Sequence, residues 1–465
     1  MRLRTAICVV PGVVLLSSAG VAHASGFATA RFGGEHGHPT TDNPTALYYN
    51  PAGIAEDTPG FEKKLWRVKI FADASLAMRW ASWSHARSPN DEPEPDDAPG
   101  ANTGTAELFN VVTAPSAAAT FSIENFAFGV GFFVPLGGQS QWDINSDFEG
   151  DPNYAGPVDG VQRWHTIDGV LRSMYITMGA AYDIMDRVSI GASANFIRSE
   201  VKTIRAREPS GTNNVSVEGR SLIDVGGWSA SFALGVTGEI APEKVWIGFS
   251  YQAQPGLGEM ALEGTLVNNY GGSVTTDQVK LLQELPDIYR IGIRARPEKN
   301  VEMRFFGDLT NWSTFKAQCV IPAAAETCDV NPDGSADPDS ATPPYLHLVR
   351  NWGPAFGIRG GGSYWVIPSL ELYLGAGYDS NAIPDSTLEP ALTDFQKASV
   401  AGGLRFEVSE LFGAALSYTH IFYVPRDTSG KSVLAELEFP SRSPDAGGNY
   451  TQTIGVINAN VQLSF

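Results

Sequence analysis

The chain is 465 residues long, with 18% charged residues, 11% aromatic residues, 49 glycines and a formal net charge of −19. So acidic a chain lacks the basic clusters that meet phosphates, which excludes nucleic-acid binding, and its acidic groups gather in loop-like stretches such as 91–97. Modest charge with plentiful glycine and aromatic residues suits one large β domain whose strands are apolar on one face only.

The first residues carry Arg2 and Arg4, an apolar run from Ala6 to Leu16, and then Ala22-His23-Ala24. These are the three parts of a secretory signal peptide, with cleavage expected after Ala24 and residues 1–24 removed. The apolar run is too short to span a bilayer, and no later run approaches eighteen apolar residues, so no transmembrane helix is expected in the mature chain. Residues 25–64 follow without strand alternation and contain Asn50-Pro51-Ala52-Gly53.

From about Leu65 onward, short segments alternate between apolar and polar residues. The stretch Phe126 to Trp142 places Phe126, Phe128, Val130, Phe132 and Val134 on one face, then breaks at Pro135-Leu136-Gly137-Gly138. Proline cannot donate to a ladder and glycine permits a bend, so a kink is expected there. Alternation returns from Val188 to Phe196. It is clearest where Tyr289, Ile291, Ile293 and Ala295 interleave with Arg290, Gly292, Arg294 and Arg296. After the turn Pro297-Glu298-Lys299-Asn300, the residues Val301, Met303, Phe305 and Leu309 alternate with Glu302, Arg304 and Asp308. Leu370 to Tyr378 and Ala398 to Val408 repeat the pattern, with Arg405 and Glu407 on the polar face. The last strand sets Ile457, Ala459, Val461, Leu463 and Phe465 against Asn458, Asn460, Gln462 and Ser464.

Connections alternate between very short turns and long polar stretches, the latter near 86–106, 143–163, 207–224, 266–285, 316–349, 381–394 and 425–447. The bounded segments number about fourteen, an even count as single-chain bacterial barrels require, with both chain ends on the short-turn, periplasmic side. The expected fold is an all-β transmembrane antiparallel barrel spanning 65–465. Of three cysteines, Cys8 leaves with the signal peptide, so Cys319 and Cys328 are expected to form a loop disulfide in an exported protein.

Asn50-Pro51-Ala52-Gly53, lying between a signal peptide and a strand series, resembles the N-terminal hatch of the FadL family of long-chain fatty acid transporters. The resemblance extends to Leu171–Ile204, Leu285-Pro286, Tyr289-Arg290-Ile291-Gly292, Asp308–Trp312, Gly375–Asp379 and Gly448-Asn449-Tyr450. It implies a fourteen-stranded outer-membrane barrel plugged by residues 25–64, which binds a hydrophobic solute and releases it sideways at the kink of Pro135, Gly137 and Gly138. His36-Gly37-His38-Pro39 departs from the small residues expected in that part of the hatch.

The implied partners are long-chain fatty acids or related hydrophobic molecules, the outer-membrane lipid, and the barrel assembly machinery that reads a C-terminal phenylalanine. Aromatic hydrocarbon uptake and display of surface loops are the competing readings. The polar-face groups Arg290, Arg294, Arg296, Glu302, Arg304, Arg405 and Glu407 could hold a carboxylate or pair with one another. The nearest constellation for catalysis is Ser417 and His420 with Asp379-Ser380-Asn381, but Ser417 and His420 fall on opposite strand faces, which argues against an enzyme. No phosphate loop, cofactor motif or paired metal-ligand spacing occurs; His36 and His38 alone make an improbable metal site.

Overall fold

The computed structural model describes residues 37–56, 65–184 and 187–465. The expected signal peptide, 1–24, lies outside the described residues, as does His36. Among the described residues, nineteen strands pair antiparallel in one sheet. The first seven are β1 Trp66–His85, β2 Gly104–Ile123, β3 Phe126–Gln141, β4 Asp168–Asp183, β5 Val188–Arg207, β6 Gly219–Ala241 and β7 Val245–Gln252. There follow β8 Met260–Tyr270, β9 Ser273–Gln283, β10 Ile288–Glu298, β11 Val301–Thr310, β12 Ala317–Pro322 and β13 Leu346–Val349. The last six are β14 Ala355–Ile367, β15 Leu370–Asp379, β16 Lys397–Ser409, β17 Phe412–Tyr423, β18 Arg426–Asp427 and β19 Asn449–Ser464.

Fourteen of these close into a barrel in the order β1 to β7, β10, β11, β14 to β17, and β19, which returns to β1. Closure comes from the C-terminal strand, registered from Lys69 opposite Ser464 to Ser84 opposite Asn449. Its alternation decides which face meets lipid. On β10 and β11, Ile291, Met303 and Phe305 are 56, 57 and 59% exposed, while their neighbours Arg294, Glu302 and Arg304 are 3, 6 and 5% exposed. An apolar outer face and a polar inner one are what a barrel in hydrocarbon requires, since closure leaves no unpaired strand edge.

The stretch 266–285, expected as a loop, is instead mostly strand. β8 and β9 form a hairpin across Gly271 and Gly272, whose left-handed φ values of 56° and 81° permit the tight reversal. This hairpin pairs with the long-loop half of β6 and continues through β12 to β13, making a side sheet. Its inner face is apolar, with Leu262, Leu266, Val279 and Leu281 buried together with Val320 and Leu346. The exposed face of β9 is Ser273, Thr275 and their neighbours. That polar face hid the strand from a search for lipid-facing alternation.

Cys319 in β12 is joined to Cys328 by a disulfide, with Cα atoms 6.2 Å apart. The loop it closes is short, so chain-entropy reasoning assigns it roughly 2–3 kcal/mol. Cys319→Ser/Cys328→Ser is therefore expected to leave barrel insertion intact while speeding proteolysis within 323–345. An unchanged cleavage rate in intact outer membranes would refute the expectation.

Candidate functional site: a plugged lumen with an outer cavity and a gap in the wall

Residues 37–56 lie inside the barrel and are buried almost throughout. Thr45 starts a single helical turn, Ala46–Tyr49, and Asn50 caps the 3-10 turn Pro51–Ile54 by accepting from the Ala52 N–H at 3.2 Å. Asn50 Nδ2 also donates to the carbonyls of Pro39, at 2.7 Å, and of Val236 in the β6 wall, at 3.0 Å. One side chain thus ties the turn to itself and to the barrel.

Glycines in the wall make this contact possible. A Cβ at Gly235 would stand 1.8 Å from Asn50 Oδ1, at Gly191 2.4 Å from the Ala52 nitrogen, and at Gly248 2.1 Å from the Pro39 carbonyl. Gly129 and Gly179 make room for Leu47, and Gly292 for Pro39, in the same way. These six positions lie on six successive staves, so the plug rests on a belt of bare backbone. Inside the plug, a Cβ at Gly53 would meet the Thr41 carbonyl at 2.1 Å. Proline in Asn-Pro-Ala-Gly presets the first 3-10 residue, and the glycine permits the close return.

The arginines of β10 hold the plug electrostatically. Arg294 pairs with Asp42 at 3.1 Å and with Glu56 at 3.3 Å. Arg290 lies over the rings of Tyr48 and Tyr49, at 4.9 and 5.6 Å from their centroids. The other polar-face charges mostly serve one another: Arg304 bridges Glu302 and Glu371, and Arg405 approaches Glu371 at 3.9 Å. Arg296 covers the Trp365 ring, and Glu407 is exposed. His38 bonds Thr40 Oγ1 at 2.8 Å and leans on Phe306.

Toward the long-loop end, the lumen widens into a cavity of about 980 Å³ of atom-free space, part of it continuous with solvent. Its walls are largely apolar, including Leu171, Val201, Ile223, Leu281, Leu348 and Trp352. Three arginines enter it. Arg350 is matched by Glu389, which His165 also approaches at 3.4 Å. Although burial opposes ionisation of Glu389, the Arg350 guanidinium and His165 hold its carboxyl well below the usual carboxylate range. Among the described residues, Arg79 donates only to the neutral oxygens of Gln452, Gln139 and Thr393. Arg205 Nε has no hydrogen-bond partner among the described residues. Both side chains are buried, at 5 and 6% exposure, and among the described residues neither makes a close ion pair, although the Glu389 carboxylate acts on Arg205 at longer range. Neither was singled out from sequence, because a lone arginine on a strand does not reveal whether its partner is missing.

The wall beside this cavity is discontinuous. The β2–β3 ladder runs from Ile123 opposite Phe126 to Ala117 opposite Phe132 and stops. Contact resumes where the Asn110 side chain brackets Gln141, donating to its carbonyl at 3.0 Å and accepting its N–H at 3.2 Å, and where Asp143 N–H reaches the Glu107 carbonyl. Between these points, segments 111–116 and 133–140 share no ladder register. β3 slips by a bulge against β4 between Phe133 and Leu136, at Val134 and Pro135. Residues 133–138 are buried where alternation would expose every second one to lipid, so β3 bends inward, and Phe133 meets Tyr48 of the plug at 5.7 Å. Gly137 and Gly138 are paired with Arg172 and Leu171 of β4, so the bulge centres on Val134 and Pro135, not on the glycines. Gly138 and Ser140 also line the cavity.

Ser417 is buried inward, whereas His420, on the outer face, bonds Tyr418 and Thr453. The two do not meet.

Residues 18–432 match the family described as Outer membrane protein transport protein (OMPP1/FadL/TodX). No curated protein matches the chain in sequence. Among solved structures, a Pseudomonas aeruginosa FadL homologue superposes with a TM-score of 0.69 at 15% identity, over 96% of this chain and 99% of the other. The P. putida toluene transporter TodX does so at 0.61 and 15%, over 95 and 98%. The Ralstonia pickettii toluene transporter TbuX gives 0.59 and 17%, over 94 and 99%. The closed fourteen-strand barrel, its lumenal hatch and the family match together show that this chain belongs to the OMPP1/FadL/TodX family, as an outer-membrane transport channel for hydrophobic compounds and not an enzyme.

Proposed function

We propose that the channel carries long-chain fatty acids, taking them into the outer cavity and releasing them sideways through the gap between β2 and β3. The observation that carries this reading is the pair of buried arginines, Arg79 and Arg205, facing a cavity whose walls are largely apolar and whose other charges, Arg350 and Glu389, are paired with each other. A buried guanidinium without a counter-ion costs several kcal/mol, and a carboxylate entering the cavity relieves that cost through charge-assisted hydrogen bonds. The apolar walls take the alkyl tail, at about 0.8 kcal/mol for each methylene removed from water. A neutral aromatic hydrocarbon would use the walls and leave Arg79 without an anion and Arg205 with only the longer-range charge of Glu389. The hatch residues Asn50, Pro51, Ala52 and Gly53 close the periplasmic route, so the solute leaves toward outer-membrane lipid past Pro135, Gly137 and Gly138.

The test is uptake of labelled palmitate and labelled toluene by a Gram-negative host lacking its own fatty acid transporter. Arg79→Gln/Arg205→Gln is expected to lower palmitate uptake at least about tenfold, as loss of charge-assisted bonds implies, while toluene uptake is unchanged. Heat-modifiable gel mobility checks insertion. Equal palmitate uptake by both proteins, or uptake of toluene alone by the unaltered protein, would overturn the assignment.

A further inference from the structure

On β4 and β5 the outward face is apolar for about nine residues from the short-turn end, through Met178 and Ile176 on one strand and Ile190 and Phe196 on the other. That is roughly 23 Å of wall for strands rising ~3.4 Å per residue and tilted ~40°, close to the full apolar band of such barrels. The next outward positions are Arg172 and Arg198, followed on β5 by Glu200 and Lys202. They therefore stand at the height of the lipid headgroups on the long-loop side. Trp228, 65% exposed and in register with Arg198, marks the same rim on β6.

The two arginines are prepared in a specific way. Glu200 lies between them, its Oε2 2.7 Å from Arg172 Nε and its Oε1 3.5 Å from Arg198 Nε. Arg172 is thus hydrogen-bonded through Nε and Arg198 is held only by a looser ion pair, and among the described residues no hydrogen bond engages the η nitrogens of either. Gly226 leaves the room for this: a Cβ there would stand 2.7 Å from Arg198 Nη2. Lys202, the outward position beyond Glu200, is paired with Asp224 at 3.0 Å but is 62% exposed. Two guanidinium forks with free ends and a nearby ammonium match the oxygens of a phosphate monoester. In a protein of net charge −19, a lipid-level patch on which Arg172, Arg198 and Lys202 outnumber Glu200 and Asp224 favours an anionic partner.

We propose that Arg172, Arg198 and Lys202 bind the phosphorylated headgroup of an outer-leaflet glycolipid, seating one such lipid on the wall beside the kinked β3. Arg172 is in register with Gly137 of β3, so the bound lipid would border the gap.

The full chain in detergent micelles would be titrated with bisphosphorylated lipid A, and with the same lipid after phosphate removal. Arg172→Gln/Arg198→Gln is expected to weaken binding of the phosphorylated form about tenfold, to the level of the dephosphorylated one. Asp224→Asn, which releases Lys202, is expected to tighten binding about two- to threefold. Heat-modifiable mobility confirms that each variant is a folded barrel. Unaltered affinity in the folded double variant would overturn the proposal, as would equal binding of both lipids by the original protein. Loss of palmitate uptake in the double variant with unchanged lipid A affinity would also overturn it, assigning the arginines to the departing solute.

Discussion

Gly235→Val is expected to unseat the hatch and turn a closed channel into a leaky one, with the barrel still inserted. A Cβ at this position overlaps Asn50 Oδ1, so the valine and the Asn50 side chain cannot both keep their places. Asn50 then loses its bond to Val236 and the cap on Ala52, each worth about 1 kcal/mol. The overpacking adds roughly 1–3 kcal/mol. The ion pairs of Arg294 with Asp42 and Glu56 remain, but they do not replace the contacts of the Asn50 turn with the wall. A seat weakened by roughly 3 kcal/mol or more raises the unplugged fraction on the order of a hundredfold. Liposomes containing the variant should swell in a small sugar that the original protein excludes, and palmitate uptake should fall as the closed lumen is lost. Gly238→Ala is the matched control, because a Cβ there meets nothing closer than 3.9 Å. Sugar exclusion by a folded Gly235→Val barrel would show that the plug does not depend on this seat.

Closing the gap between β2 and β3 is the second large effect expected. Pro135→Thr with Gly137→Val and Gly138→Val supplies a missing N–H donor and two β-forming side chains along the part of β3 that has no ladder with β2. In hydrocarbon each unpaired backbone group costs several kcal/mol, so a discontinuity in the wall persists only where protein or a cavity backs it. Once segments 111–116 and 133–140 can pair, reopening would break several bonds of about 1 kcal/mol each, lowering uptake on the order of a hundredfold. Pro135→Thr alone separates the proline from the glycines and is expected to produce most of the loss, since the bulge sits at Val134–Pro135. Palmitate uptake is measured alongside heat-modifiable mobility and cavity binding of the same labelled acid. Retained binding with lost uptake places the defect at the exit. Undiminished uptake by an inserted triple variant would remove the sideways route.

The sequence by itself determined the barrel. A period of two with a lipid face is a local property, so Ile291, Ile293, Met303 and Phe305 could be assigned outward without knowing their neighbours. Short turns at 124–125 and 297–300 set the hairpins, and the alternation of short and long connections set the strand count. The β8–β9 hairpin escaped for the same reason: beyond the lipid its outer face is polar, and the signal that marks a membrane strand is absent there. The tertiary structure alone decided the site. That Gly129, Gly179, Gly191, Gly235, Gly248 and Gly292 form one belt depends on the stagger between six strands, which no single strand encodes. The same holds for charge. Arg294 and Arg79 are both inward arginines on alternating strands, yet among the described residues the first finds Asp42 and Glu56 while the second donates only to neutral oxygens. Strand periodicity fixes the face a side chain points to, whereas closure of the barrel and folding of the hatch fix what it meets there. The Coulomb and desolvation energies that distinguish a clamp from a binding site depend on that meeting.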